Sequence, residues 1–292
     1  MAAAMPRAAL GPALALMLNA FIWGVSWAPL RWLEARGLHP LWATTLIYLV
    51  AVFVITLWQP RAWRDLFTTP VLWVLVLAAG TTNASFNWAV TVGDVVRVVL
   101  LFYLMPLWAV LLARLLLDER LTVAAGMRVL MALAGAAAVL WPPGGGWPLP
   151  HTLAEALGVA GGFSFALNNV MLRREAQRPE SARALAMFLG GALVAGVLAL
   201  TLATAGTLPW PPAPAVPWGL GALVMSAAFL VGNLALQYGA ARLPANVTAV
   251  VMITEVLFAA GSAVLLGAGV LTPQLMLGGA LIVGAALLSG HG

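Results

Sequence analysis

The 292-residue chain is 63% hydrophobic and only 8% charged, with a mean hydropathy of +1.01 and a formal net charge of +5. Soluble domains carry roughly 25% charged residues, so this much apolar surface has to face lipid, and the class is an all-α polytopic membrane protein. Continuous apolar runs near twenty residues exclude a transmembrane β-barrel, whose strands alternate over about ten, and the absence of cysteine excludes disulfides, thiolate nucleophiles and cysteine metal sites.

All of the basic side chains are arginine, and they are spread over short stretches between apolar runs. That distribution fits orientation signals rather than a nucleic-acid surface, despite the sequence pI near 11. His39, His151 and His291 are too dispersed for a metal cage. Arg7 precedes an apolar run that continues to about Leu33, longer than the 7–15 residues of a signal-peptide core. The run therefore reads as a first membrane helix that stays.

A hydrocarbon core of about 30 Å needs ~20 helical residues per crossing. Cutting at charges, prolines and glycines predicts ten spans, near 11–33, 38–58, 70–91, 95–117, 122–141, 152–173, 182–205, 216–240, 244–267 and 272–290. The Gly- and Pro-rich stretches 141–150 and 206–214 read as loops whose tryptophans suit the membrane interface. With the N-terminus placed inside, eleven arginines lie on the inner side, and Arg31, Arg36 and Arg97 on the outer. The positive-inside rule then puts both termini in the cytoplasm. A shift of 149 sets Pro106 on Glu255, Arg97 on Asn246 and Gly135 on Gly284. The expected organisation is a first five-helix repeat over 1–141, a loop over 142–151 and a second repeat over 152–292, forming one transport domain. Five is odd, so the second copy enters the membrane upside down, the architecture of secondary transporters with a midplane substrate site.

The fourth segment holds a lone proline, Pro106, in an apolar run, and reads as one helix kinked at that hinge. The stretch from Leu104-Met-Pro106-Leu-Trp-Ala to Leu117-Asp-Glu119-Arg-Leu-Thr122 resembles the signature of the drug/metabolite transporter superfamily, EamA type. Phe21-Ile-Trp23-Gly24-Val-Ser26-Trp27 in the first segment resembles it too. The resemblance implies ten helices in two inverted five-helix halves and an exporter of the bacterial inner membrane. Length and tryptophan content are most similar to exporters of aromatic amino acids. One departure is Gly267-Ala-Gly269, which stands where the first half has Asp118-Glu119-Arg120.

Polar groups at membrane depth carry the functional reading. Asn19, Trp23 and Trp27 recur every four residues, on one helix face, with Arg31 continuing it outward. Asn83 and Asn87 form a second such pair, Asn168 and Asn169 follow Phe163 and Phe165, and Tyr238 approaches the inner end of the eighth segment. Interhelical amide bonds average only ~0.6 kcal/mol, so each of these is also intelligible as helix glue; their concentration on six segments points to a lined cavity. Tyr103, one turn before Pro106, is a candidate wall residue. Glu255 lies near the midplane, where an ionised side chain costs several kcal/mol. It is expected to bind a substrate ammonium, to carry a coupling proton, or to stand as a neutral acid bonded to Thr254 or an asparagine. Arg97, close to Asp94, is expected at the outer mouth or as an interfacial anchor.

No Walker Gly-Lys-Ser/Thr, His-Glu-x-x-His or Gly-x-Ser-x-Gly motif occurs, which argues against an enzyme. No cofactor, metal or nucleic acid is expected; the partners are the bilayer, a small-molecule substrate and possible coupling protons. The leading expectation is export of aromatic and other amino acids by alternating access. The alternative is export of lipophilic cations, and a scaffold without transport is the remote third.

Overall fold

Runs of Leu, Val and Ala offer no side-chain partners for the backbone, and within lipid only helices or closed barrels satisfy every peptide group internally. In the computed structural model all regular structure among the described residues (7–116, 123–142, 145, 147–240, 242, 251–252 and 254–289) is helical. The chain is an all-helical, multi-pass membrane protein. The first half contains α1 (Arg7–Val25), α2 (Trp27–Glu34), α3 (Pro40–Trp58), α4 (Arg61–Thr68), α5 (Leu72–Val92), α6 (Val95–Phe102), α7 (Met105–Leu116) and α8 (Val123–Leu140). The second contains α9 (Leu153–Arg174), α10 (Glu180–Thr204), α11 (Val216–Ala240), α12 (Thr254–Leu265) and α13 (Pro273–Ser289).

Apart from α4, these helices fall on the ten apolar segments, yet fewer qualify as full crossings. Five stretches are long and apolar enough: Leu10–Glu34, Pro40–Trp58, Val95–Leu116, Glu180–Thr204 and Val216–Leu236. A sixth arises if α4 and α5, bent by 105°, count as one span. Thr254–Leu265 and Pro273–Ala285 are shorter apolar helices, and α9 is diluted by Gly158, Gly161, Gly162, Asn168 and Asn169. The Asp118-Glu119-Arg120 cluster lies outside the described residues.

Two of these segments carry a local break in the helix, and a proline stands just after each. A proline has no N–H for the carbonyl four residues back. Pro29 and Pro106 stand four residues after Val25 and Phe102, the last residues of α1 and α6. Near Pro106 the segment divides at Tyr103 and Leu104 into α6 and α7, which still form one apolar stretch, Val95–Leu116, with Pro106 in the first turn of α7, where the missing donor costs little. The carbonyl of Phe102 lies against α9, where a methyl group on Gly162 would stand 2.4 Å from it. At the first break the Ser26 hydroxyl donates to the Trp23 carbonyl at 2.8 Å.

Helix α4 occupies a stretch expected to be loop. It buries Ala62 and Leu66 and exposes Arg61 and Arg64. Beside it, Trp63 stacks on Phe67 and Phe67 leans on Trp73, an interfacial aromatic cluster.

Between the halves, α5 packs on α9 and α10, α3 on α10 and α11, α1 on α11 and α12, α6 and α7 on α9, α6 on α12, and α8 on α13. Glycines permit the closest crossings. Gly80 meets Gly190 where α5 crosses α10, and Gly135 meets Gly278 where α8 crosses α13.

His39 caps α3, its Nδ1 accepting from the Leu41 amide at 3.2 Å, and lies edge-on to Trp88. Burial pushes its imidazole down from 6.5 to about 4. The unfolded chain therefore takes up the proton first. The stability held by the neutral ring is complete above pH 6.5 and declines as pH falls from there toward 4. His39→Asn, which keeps a capping acceptor, is expected to flatten thermal stability against pH over that interval in detergent. An unchanged slope would assign the acid sensitivity to other groups.

Candidate functional site

Asn19 and Trp23 are one turn apart and share a face of α1. That face meets Ala79, Thr82, Asn83 and Phe86 of α5, Phe102 at the end of α6, and Phe165 and Asn168 of α9. Met187 of α10, Leu236 of α11, Met252 and Glu255 complete a cavity of about 90 Å³. At ~15 Å³ per water this holds roughly six waters. Both halves of the chain build it.

Part of the lining is aromatic. Phe102 packs against Phe86 and Phe165 at centroid distances of 4.8 and 5.3 Å, while Trp23 stacks at 4.5 Å on Phe229. Polar groups alternate with the aromatic ones on the same helices. Tyr103 donates to Glu255 Oε2 at 3.0 Å and to the Met252 carbonyl at 3.3 Å, which joins the broken fourth segment to the ninth. The expected partners of Glu255 are thus replaced: Thr254 donates to the Val251 carbonyl instead. Tyr48 donates to Asn83 Oδ1, and Asn83 Nδ2 donates to the Ala79 carbonyl at 2.7 Å. Asn19 Nδ2 reaches Met252 Sδ at 3.6 Å and Asn168 Nδ2 reaches Asn169 Oδ1 at 3.5 Å. Among the described residues the Oδ1 atoms of Asn19 and Asn168 have no partner, although these residues are only 1% and 2% exposed.

Of the nominated residues, Asn19, Trp23, Asn83, Asn168 and Glu255 line the cavity, and Tyr103 holds Glu255 from behind. Four lie elsewhere. Trp27 falls beyond the Ser26 break, which ends the four-residue stripe, and its indole donates to Ser262 Oγ at 3.0 Å. Asn87 turns to α3, donating to Thr44 Oγ1 at 3.0 Å. Phe163 points away from Phe165, into an outer groove against Trp108. Tyr238 is 45% exposed at the end of α11, with the Arg242 guanidinium 4.1 Å above its ring. Phe86, Phe102, Met187, Leu236 and Met252 were not nominated, because an apolar residue in an apolar segment carries no signal of which way it faces.

A second polar group ties the helix ends at the α9 N-terminus. Arg31 donates to the carbonyls of Val90 (3.0 Å) and Gly93 at the end of α5, where a cation suits the helix dipole. Asp94 caps α6 through the Arg97 amide at 2.8 Å and accepts from Val270 N at 3.3 Å. Arg97 meets Glu155 at 2.7 Å, and Glu155 closes a capping box with Thr152. Arg97 is thereby engaged with protein. Asn168 lies thirteen residues along α9 from Glu155, about 20 Å. The cavity and this tie stand at different depths.

Residues 10–141 match the EamA-like transporter family, a family of transporters rather than enzymes. An uncharacterized transporter of Pseudomonas aeruginosa is 35% identical over 98 residues, 32% of this chain and 33% of that protein. The chain thus matches about a third of the length of that curated relative. A solved crystal structure aligns with a TM-score of 0.59 and 20% identity, over 95% of this chain and 96% of that one. At that identity the likeness is one of fold.

Proposed function

We propose that the chain is a small-molecule transporter of the EamA-like kind, exporting amphipathic metabolites across a bacterial inner membrane by alternating access. The observation that carries this is the cavity, lined by both aromatic and polar side chains, to which both halves contribute.

The inverted ten-helix arrangement belongs to the same proposal, and the packing supports it. Number the segments one to ten, so that α1 with α2 is the first and α13 the tenth. Exchanging each segment with the one five places on turns α5 on α9 into α11 on α1, and α5 on α10 into α11 on α3. It turns α1 on α12 into α9 on α6 and α7, and returns α3 on α10, α6 on α12 and α8 on α13 to themselves. Both termini lie in the cytoplasm on this reading, consistent with the arginine distribution. Glu255 is the acid of the cavity among the described residues, and it carries either the substrate ammonium or a proton, which would couple the two.

In proteoliposomes, labelled phenylalanine, tryptophan and a quaternary ammonium separate the amino-acid and cation readings. Trp23→Ala and Asn83→Ala are expected to lower uptake by about fivefold or more, each removing a contact worth ~1 kcal/mol. Leu277→Ala, at a site 63% exposed on α13, should leave uptake unchanged. Equal losses at all three would move the substrate site elsewhere, and no flux of any compound would leave a scaffold.

A further inference from the structure

We infer that the polar groups of the cavity select a primary ammonium on an apolar or aromatic body and disfavour a zwitterion, so that amines rather than amino acids are the preferred substrates. This rests on the transport reading above and narrows it.

The argument is a count of donors and acceptors. Each amide and hydroxyl on the cavity wall gives one hydrogen to protein, Thr82 to the Ala78 carbonyl, Asn83 to Ala79, Asn19 to Met252 and Asn168 to Asn169, which leaves each amide one further N–H. Tyr103 spends its proton on Glu255 and Met252. Acceptors are left bare as well, and they lie with the one acid of the cavity among the described residues. Asn19 Oδ1 and Asn168 Oδ1 are buried without partners among the described residues, and Glu255 accepts from Tyr103 through Oε2. A buried acceptor left bare loses its hydration without return, so the missing complement is a group rich in N–H. A primary ammonium brings three such donors and a positive charge for Glu255.

A carboxylate finds amide N–H groups but no cation. Among the described residues no arginine, lysine or histidine lines the cavity. Arg31 and Arg97 are engaged with backbone carbonyls and Glu155 at the distant tie. An amino-acid head group would bring its anion next to Glu255 with no cation to offset it.

The two asparagines are also related by the internal repeat. Asn168 follows Asn19 by 149 residues, the same shift that sets Pro106 on Glu255. The pair of bare acceptors is thus a matched feature of the two halves, whereas the carboxyl belongs to one half alone.

The test is calorimetric binding to the purified full-length protein in nanodiscs, with phenethylamine, its N,N,N-trimethyl analogue and phenylalanine as probes. Phenethylamine is expected to bind at least about tenfold more tightly than phenylalanine, which differs from it by the carboxylate. The trimethyl analogue, equally charged but without N–H, should bind several-fold more weakly than phenethylamine. Asn168→Leu should lower phenethylamine affinity about fivefold while leaving the thermal midpoint of the empty protein unchanged or higher, because it removes an unpaired buried acceptor. Phenylalanine binding as tightly as phenethylamine overturns the inference and leaves the transport reading standing. Equal affinity for the trimethyl analogue overturns the role of the amide acceptors. Failure of all three probes to bind, with no flux in proteoliposomes, overturns both the inference and the transport reading.

Discussion

Replacing Glu255 by glutamine is expected to lower amine transport at least tenfold, the larger of two functional losses within a single hydrogen-bonded pair. Glutamine keeps the volume and an oxygen for the Tyr103 hydroxyl, 3.0 Å away in the parent protein, and removes only the capacity for negative charge. Two charges about 4 Å apart interact by ~4 kcal/mol at an effective dielectric of 20, an upper bound near a thousandfold in affinity. Tyr103→Phe keeps the acid and deletes one donor, worth about 1 kcal/mol, and should cost roughly fivefold. Initial rates in proteoliposomes, with protein incorporation quantified, give the comparison. If glutamine at 255 transports as well as the parent while phenylalanine at 103 does not, the carboxyl is a structural acceptor and the head-group reading is wrong.

The largest stability loss is expected at Gly190. A methyl group there would stand 2.1 Å from the Val76 carbonyl oxygen and 2.9 Å from its carbon, and neither can rotate away because both are helix backbone. The helices would have to separate, so Gly190→Ala is expected to cost ~3 kcal/mol or more, at or beyond the top of the usual range for overpacking. Gly261→Ala on α12 is the matched control: nothing lies within 4 Å of the added atom, and alanine is the better helix former by about 1 kcal/mol. Thermal unfolding in detergent followed by gel filtration compares the two directly. Similar midpoints would mean that the α5 and α10 crossing is looser than its geometry.

The class of the molecule was readable because composition leaves lipid as the only solvent for so many apolar side chains. Helix positions were readable for the same reason, since apolar runs have to be helical within a bilayer. Among polar residues, Asn19, Asn83, Asn168 and Glu255 stood out against apolar neighbours, and the cavity gathers these four. Trp27 and Asn87 stood out equally and lie elsewhere. A four-residue period identifies a face only while the helix is continuous, and Ser26 interrupts it. The break could have been anticipated from Pro29, which denies a donor to Val25, the residue at which α1 ends. Asn87 follows Asn83 by one turn, but Thr44 on α3 supplies a nearer partner. The pairing of Tyr103 with Glu255, 152 residues apart, depends on how two helices meet, which periodicity within either one does not encode.

The tie between Arg31, Asp94, Arg97 and Glu155 has a consequence for populations. Hydrogen bonds to charged groups contribute about 1.5–3 kcal/mol each. If water recovers most of that on opening and leaves a net bias of ~3 kcal/mol, fewer than roughly one molecule in a hundred has this end parted at any instant. Substrate release on that side would then be a rare excursion from a strongly favoured state. A cargo accelerates the cycle only to the extent that it binds the parted form more tightly than the tied one. Weakening the tie, for example by Arg97→Gln, would raise the occupancy of the parted form for every cargo alike and leave the preference among cargoes to the cavity.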